Sequence, residues 1–203
     1  MRIGILGGSF DPVHYGHLLL AECCREKCTL DLVWFMPAAK SPHKVGSPSA
    51  SDEARVEMLK LAVGGHPPFE VSTLELDRGG LSYTVDTLTQ IHEQQRGAEL
   101  FFLMGGDSLD DFSNWRQPGR ICDLATLVFV SRPPNDVPDF DALANVLTKE
   151  QIERTRQHHV HMPQIELSSS DIRQRVAAGR SIRFQTPRAV EEYIRTSGLY
   201  RSP

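Results

Sequence analysis

Two histidines three positions apart, His14 and His17, close the run Gly7, Gly8, Ser9, Phe10, Asp11, Pro12, Val13, His14, Tyr15, Gly16, His17. Imidazoles can donate hydrogen bonds to a phosphoryl group as negative charge gathers on its oxygens. The run follows an apolar stretch at 3–6 and opens an amphipathic one at 18–28, so it reads as strand, glycine turn, helix. That arrangement aims backbone N–H groups and a positive helix end at one place, which suits a phosphate. Pro12 would set the turn, and Gly16 would let the backbone come close to a ligand. A lone histidine is more often a surface or satisfied core residue. Two beside a glycine turn point to chemistry as well as grip. The pattern is neither a P-loop, since Gly-x-x-x-x-Gly-Lys-Ser/Thr is absent, nor the dinucleotide glycine fingerprint.

Near the other end stand Ser168, Ser169, Ser170, Asp171, Ile172 and Arg173. Ser169 or Ser170 can cap a helix starting there, which leaves free N–H groups for an anion, and Arg173, one turn in, can fork onto phosphates. Alone, the same residues would read as a plain serine cap with a solvent arginine. Trp115, beside Arg116 and after Gly105-Gly106-Asp107, either covers the core or offers a flat platform to an aromatic ring. Thr84 opens a helix, and a helix N-terminus prefers a carboxylate to a neutral amide. Asp107 follows a strand and could be only a helix cap. Lys40, His43, Lys44 and Arg132 are either a solvated basic surface or phosphate contacts. The histidines of 157–161 lack a helix-spaced pair with a carboxylate partner, so they read as an exposed connector rather than a metal site.

The elements that must position these groups alternate. Strands are predicted at 2–6, 32–36, 69–72, 100–104, 127–130 and 164–167, and helices at 18–28, 52–63 and 85–95. Near-continuous apolar strands separated by helices predict an α/β fold with a doubly wound, mostly parallel sheet. In such sheets ligands lie beyond the carboxyl ends of the strands, where the strand order reverses. The tail predicts a helix at 170–178 stopped by Gly179, and another capped by Thr186 with Pro187 at its first position and Gly198 as its stop. The segments 37–50 and 131–138 read as loops, the first able to close over a ligand.

At 203 residues, 40% hydrophobic and 24% charged, the chain predicts one globular domain over 1–203, with a C-terminal helical part at about 168–200. Twenty-two basic against 26 acidic residues leave a formal net charge of −4, which argues against nucleic acid or anionic lipid as the main partner. No stretch approaches the ~18 apolar residues of a membrane span. The expected location is the cytoplasm. Cys23, Cys24, Cys28 and Cys122 lack paired Cys-x-x-Cys spacing, and Cys24 and Cys28 share a helix face with Leu20, so they read as small core residues.

The first run and the Ser168–Arg173 motif, in this order, resemble the HxGH nucleotidyltransferases, a group similar in fold to the class I aminoacyl-tRNA synthetases. Further pieces resemble the bacterial nicotinate-nucleotide adenylyltransferases over 2–200: Pro42-His43-Lys44, Ser82-Tyr83-Thr84-Val85-Asp86-Thr87-Leu88, Gly105-Gly106-Asp107-Ser108, Asn114-Trp115-Arg116, Ser131-Arg132-Pro133 and Gly198-Leu199-Tyr200. Ser9 and Ser170 stand where threonine is common, and Gly106 where alanine is usual.

The resemblance implies a Rossmann-like nucleotidyltransferase fold and transfer of the adenylyl group of ATP to nicotinate mononucleotide, giving deamido-NAD and pyrophosphate. It implies His14, His17 and Arg173 as catalytic. Gly7, Gly8, Ser9, Phe10, Gly16, Gly105, Asp107, Ser168, Ser169 and Ser170 would bind ATP, Asp107 through the ribose hydroxyls. Lys40, His43, Lys44, Tyr83, Thr84, Trp115 and Arg132 would bind the mononucleotide. Within this set, backbone around Tyr83 and Thr84 would receive the nicotinate carboxylate, and Trp115 would stack on the pyridine ring. Mg²⁺ would accompany ATP without a protein cage, and a homo-oligomer is left open. Rival expectations are a nicotinamide-mononucleotide-preferring enzyme, a pantetheine-phosphate adenylyltransferase, and a nucleotide-sensing module without turnover.

Overall fold

The computed structural model describes residues 1–40, 49–105, 109–131 and 139–201. Six strands form one parallel sheet: β1 (Arg2–Gly8), β2 (Leu32–Pro37), β3 (Phe69–Val71), β4 (Glu99–Gly105), β5 (Thr126–Ser131) and β6 (Val160–His161), in the spatial order β3-β2-β1-β4-β5-β6. The chain runs outward from β1 to β3, then returns to the far side of β1 at β4. The strand order therefore reverses between β1 and β4, and in sheets of this kind the ligand crevice lies beyond the carboxyl ends at that point.

Both sheet faces are apolar because the strands alternate with period two between two cores. Val33, Phe35, Phe101, Leu103, Val128 and Val130 face the first, under helices α1 (Tyr15–Lys27), α2 (Asp52–Val63), α8 (Ser169–Ala177) and α9 (Arg188–Thr196). Ile3, Ile5, Phe102, Met104, Leu127 and Phe129 face the second. That side is covered by α4 (Thr84–Gln94), α5 (Leu109–Phe112), α6 (Pro118–Leu124) and α7 (Lys149–Gln157). The short α3 (Leu74–Arg78) precedes α4. Cys24, Cys28 and Cys122 are buried as expected, and burial pushes all three thiols up, away from thiolate formation.

Several expectations need correction. Residues 164–167 form no strand: Pro163 lacks a donor, and the pairing partner of β5 is instead the two-residue β6, where Val130 faces Val160 and Ser131 faces His161. Gln157–His161 is accordingly not an exposed connector. It ends α7 and enters the sheet, with His159 Nε2 and His161 Nδ1 at 2.9 and 3.0 Å from Ser131 Oγ. Burial and the neighbouring His161 lower the pKa of His159. Thr186 does not cap α9, because its hydroxyl donates to the Val13 carbonyl at 2.8 Å and Pro187 takes the cap position. No helix among the described residues is long and apolar enough to cross a membrane.

Candidate active site

The turn after β1 is fastened from beneath. Arg55, fully buried on α2, donates to the Ser9 carbonyl and to the Ala38 carbonyl, both at 2.8 Å, and pairs with Asp52 at 2.5 Å. It ties the exit of β1 to the exit of β2. Phe10 follows with φ of 48° and its ring buried against Gly8, where a Cβ would lie 3.1 Å from the ring. Its ring meets His17 edge-on at 5.0 Å.

His14 is the residue before α1, and His17 sits in the first turn of that helix. Their rings stack at 3.7 Å between centroids, 26° from parallel. The His14 backbone N–H donates to His17 Nδ1 at 3.2 Å. A ring nitrogen that accepts cannot hold the proton, so the neutral His17 ring carries its hydrogen on Nε2. Gly16 has a packing reason of its own: a Cβ there would lie 3.0 Å from the His14 ring. The close neighbour is the protein's own imidazole, and the glycine lets it seat.

Helix α8 brings the far end of the chain to this turn. Ser169 Oγ donates to the Pro12 carbonyl at 2.8 Å, and Arg173 Nη1 donates to the Asp11 carbonyl at 2.7 Å. Arg173 Nη2 reaches Ser170 Oγ at 3.2 Å, and 29% of the arginine side chain stays open. The cap itself is neither Ser169 nor Ser170 but Ser168, whose hydroxyl accepts from Asp171 N–H at 3.0 Å. Ser169 is thereby freed to bind across to Pro12. The two motifs, more than 150 residues apart in sequence, share one edge of the sheet.

Asp11 is the junction. Only 3% exposed, it accepts from Ser49 N–H at 2.7 Å on Oδ2, and from Ala50 N–H at 3.1 Å and the Tyr200 hydroxyl at 2.6 Å on Oδ1. Arg173 Nη1 lies 3.7 Å from Oδ2. Burial, then the bond to Asp11, raises the Tyr200 pKa, so the phenol stays a donor.

The other side of the crevice is built differently. Helix α4 begins at Thr84 as expected, and Tyr83 before it provides no side-chain cap, leaving the helix end to outside acceptors. Arg116 lies over the Tyr83 ring at 4.9 Å and pairs with Asp86 at 3.2 Å, which joins the Trp115 loop to the start of α4. Trp115 is half-buried, tilted against Phe112 at 5.4 Å and edge-on to Phe102 at 6.0 Å. Lys40 is exposed, its carbonyl accepting from Ser82 N–H at 2.9 Å. Gly7 and Gly105 lie at the carboxyl ends of β1 and β4. His43, Lys44, Asp107 and Arg132 lie outside the described residues, as does most of the 37–50 segment. Among the described residues no three His, Cys, Asp or Glu side chains are grouped to hold a metal ion.

Sequence reading assigned no role to Arg55, Asp11 or Tyr200. Arg55 left a trace, since it shares the buried stripe of Met58 and Leu59 at helical spacing, an unusual place for a charge. Asp11 lay inside the motif without a reason of its own. For Tyr200 nothing local pointed to a partner 189 residues away.

Residues 5–175 match the family model described as cytidylyltransferase-like. A probable nicotinate-nucleotide adenylyltransferase of Thermomicrobium roseum is 45% identical over 201 residues, covering 99% of this chain and 92% of that one. One of the same description from Thermus thermophilus is 47% identical, covering 99% and 100%. Among solved structures, the Plasmodium falciparum nicotinic acid mononucleotide adenylyltransferase complexed with NaAD aligns with a TM-score of 0.77 at 17% identity, covering 98% of this chain and 97% of that one. At that identity the likeness speaks to the fold alone.

Proposed function

Because the chain belongs to the cytidylyltransferase-like family, and within it to the nicotinate-nucleotide adenylyltransferases, we propose that it transfers the adenylyl group of ATP to nicotinate mononucleotide, giving deamido-NAD and pyrophosphate in NAD biosynthesis. The observation that supports this reading is the joining of α8 to the turn after β1, which brings Arg173 to the Asp11 carbonyl in the same turn that carries the stacked histidines.

The 5′-phosphate of the mononucleotide attacks the α-phosphorus of ATP, forming a P–O bond as the bond to the β-phosphate oxygen breaks and pyrophosphate leaves. The attacking phosphate is already ionised, so no general base is needed, and positioning with charge stabilisation supplies the rate. In this proposal His17 Nε2–H and His14 meet the α-phosphate, while Arg173 and the α8 end receive the departing pyrophosphate. Gly7, Gly8, Ser9 and Phe10 form the floor beneath the triphosphate. The uncapped start of α4 at Tyr83 and Thr84 meets the nicotinate carboxylate, and Trp115 stacks on the pyridine ring. His43, Lys44, Arg132 and Lys40 are proposed to serve the mononucleotide phosphate, and Asp107 the adenosine ribose.

The donors around the turn, imidazole, guanidinium and backbone N–H, are suited to anions. Mg²⁺ fits this site as an ion carried by the triphosphate and water, where it would neutralise phosphate charge. The proposed setting is the cytoplasm. The test is a substrate panel: purified protein, ATP and Mg²⁺ with nicotinate mononucleotide, nicotinamide mononucleotide or phosphopantetheine, following pyrophosphate release and the dinucleotide formed. Deamido-NAD as the main product is expected. Preferred formation of NAD would transfer the specificity to the amide, and no pyrophosphate with any acceptor would overturn the enzymatic reading.

A further inference from the structure

A buried carboxylate lies 3.7 Å from the guanidinium proposed to receive pyrophosphate, and this creates a conflict. An unshielded Asp11 would draw Arg173 into a tight bidentate pair and spend the fork that the polyphosphate requires. The structure shows Arg173 stopped short of that. Its Nη1 takes the Asp11 backbone carbonyl at 2.7 Å instead, and the carboxylate oxygens are occupied by Ser49 N–H, Ala50 N–H and the Tyr200 hydroxyl. Of the three occupants, the Tyr200 bond is the shortest at 2.6 Å and the only one from a side chain.

We propose that Tyr200 is a positioning residue: its hydroxyl shields Asp11 so that Arg173 stays free to bind the departing pyrophosphate. This rests on the phosphate role of Arg173 given above. The tail packs for this purpose on the first core, where Leu199 and Tyr200 lie against the buried cluster and the Leu199 N–H closes onto the Ile194 carbonyl at 3.1 Å. Tyr200 thereby reaches the turn after β1 through Asp11. The same carboxylate holds residues 49 and 50 at the start of α2, so the shield joins three distant segments at one pair of oxygens.

The test uses Tyr200→Phe, which keeps the packed ring and removes one hydroxyl. Asp11 then keeps only the two backbone donors of Ser49 and Ala50, its charge is less satisfied, and Arg173 closes on it. Inhibition by added inorganic pyrophosphate is expected to weaken about five- to tenfold, with a matching rise in the KM for ATP and a KM for nicotinate mononucleotide within about twofold. In an Asp11→Asn background, where there is no charge to shield, adding Tyr200→Phe is expected to change pyrophosphate inhibition by less than about twofold. A lower melting temperature with unchanged pyrophosphate inhibition and KM values would reduce Tyr200 to a tether of the tail and overturn the inference. So would an equal loss in both Asp11 backgrounds. Asp11→Asn alone, which is expected to leave pyrophosphate inhibition intact or strengthen it, decides the matter should Tyr200→Phe fail to fold: tenfold weakening there would contradict shielding. Arg173→Gln separates the underlying reading, since pyrophosphate inhibition unchanged in that variant removes Arg173 from the phosphate site, whereas weakening there with none in Tyr200→Phe rejects only the shielding role.

Discussion

The two sides of the crevice are held by different forces. On the proposed phosphate side, the turn after β1 is bound by polar contacts from α2, α8 and the C-terminal tail, through the buried Arg55 and the half-buried Ser169, Arg173 and Tyr200. On the proposed mononucleotide side, among the described residues, Trp115 packs on Phe112 and Phe102, and its loop meets the start of α4 through Arg116, which lies over the Tyr83 ring and forms an exposed ion pair with Asp86. A group that must track charge developing on a phosphorus gains from a frame that does not reorganise during the reaction. A platform that only recognises a flat ring and a carboxylate tolerates looser support. Chemistry and recognition are therefore expected to separate: substitutions on the first side should change turnover, and those on the second should change one substrate's KM.

The sharpest break in that comparison is His17→Ala. Its Nδ1 is committed to the His14 N–H, so the variant loses both the Nε2 donor and the contact that fixes the stack. A fall in kcat of ~10²–10³ is expected, by analogy with removing one oxyanion donor. Steady-state kinetics with both substrates saturating measures it. Near-normal turnover would take His17 out of the reaction and leave the rigid side without a catalytic purpose.

Next in size comes Trp115→Ala. Losing a stacking platform costs about tenfold in affinity for the ring laid on it. The KM for nicotinate mononucleotide should rise by about that factor while the KM for ATP stays within about twofold. Because Trp115 also packs on Phe112 and Phe102, Trp115→Phe provides the control for lost core contacts. Equal effects on both substrates would mean that the tryptophan only covers the core.

How much of this was legible in the residues differs between the two sides as well. The parallel sheet was readable because its central strands β1, β2, β4 and β5 are mostly apolar on both faces, and the turn because glycines and two histidines follow a strand and open a helix. Helix α7 was readable in principle from Thr148 and Gln151, whose reciprocal capping bonds are visible as a T-x-x-Q pattern. The strand expected at 164–167 failed because local apolar content outweighed Pro163, and pairing is decided by what β5 leaves open. The packing of Gly16 against the His14 ring was not readable, because sequence shows that a glycine is present, not which neighbour needs the space. The partners of Asp11, Arg55 and Tyr200 at the turn were not readable: they include contacts 38, 46 and 189 residues away, and no spacing rule encodes such meetings. Long-range polar contacts are a property of the finished fold.

The smallest effect, and the finest probe of the contrast, is Arg116→Gln. Arg116 and Asp86 are 51% and 44% exposed, so water competes with their pairing and the pair contributes at most about 1 kcal/mol to stability. The guanidinium over Tyr83 adds a comparable amount, again reduced by exposure. Unfolding by denaturant should therefore shift by less than about 2 kcal/mol. What the pair does set is the distance between the uncapped start of α4 and the Trp115 loop, so the KM for nicotinate mononucleotide should rise about two- to threefold, with kcat and the KM for ATP unmoved. Salt distinguishes this from a direct contact with the nucleotide. Raising ionic strength to about 0.5 M screens an exposed pair, so the mononucleotide KM of the unaltered enzyme should drift toward that of the variant, and the ratio between them should shrink. A drop in stability above about 2 kcal/mol, or an equal change in the KM for ATP, would mean that the recognition side is bound into the fold as tightly as the phosphate side, and the division of labour between them would fail.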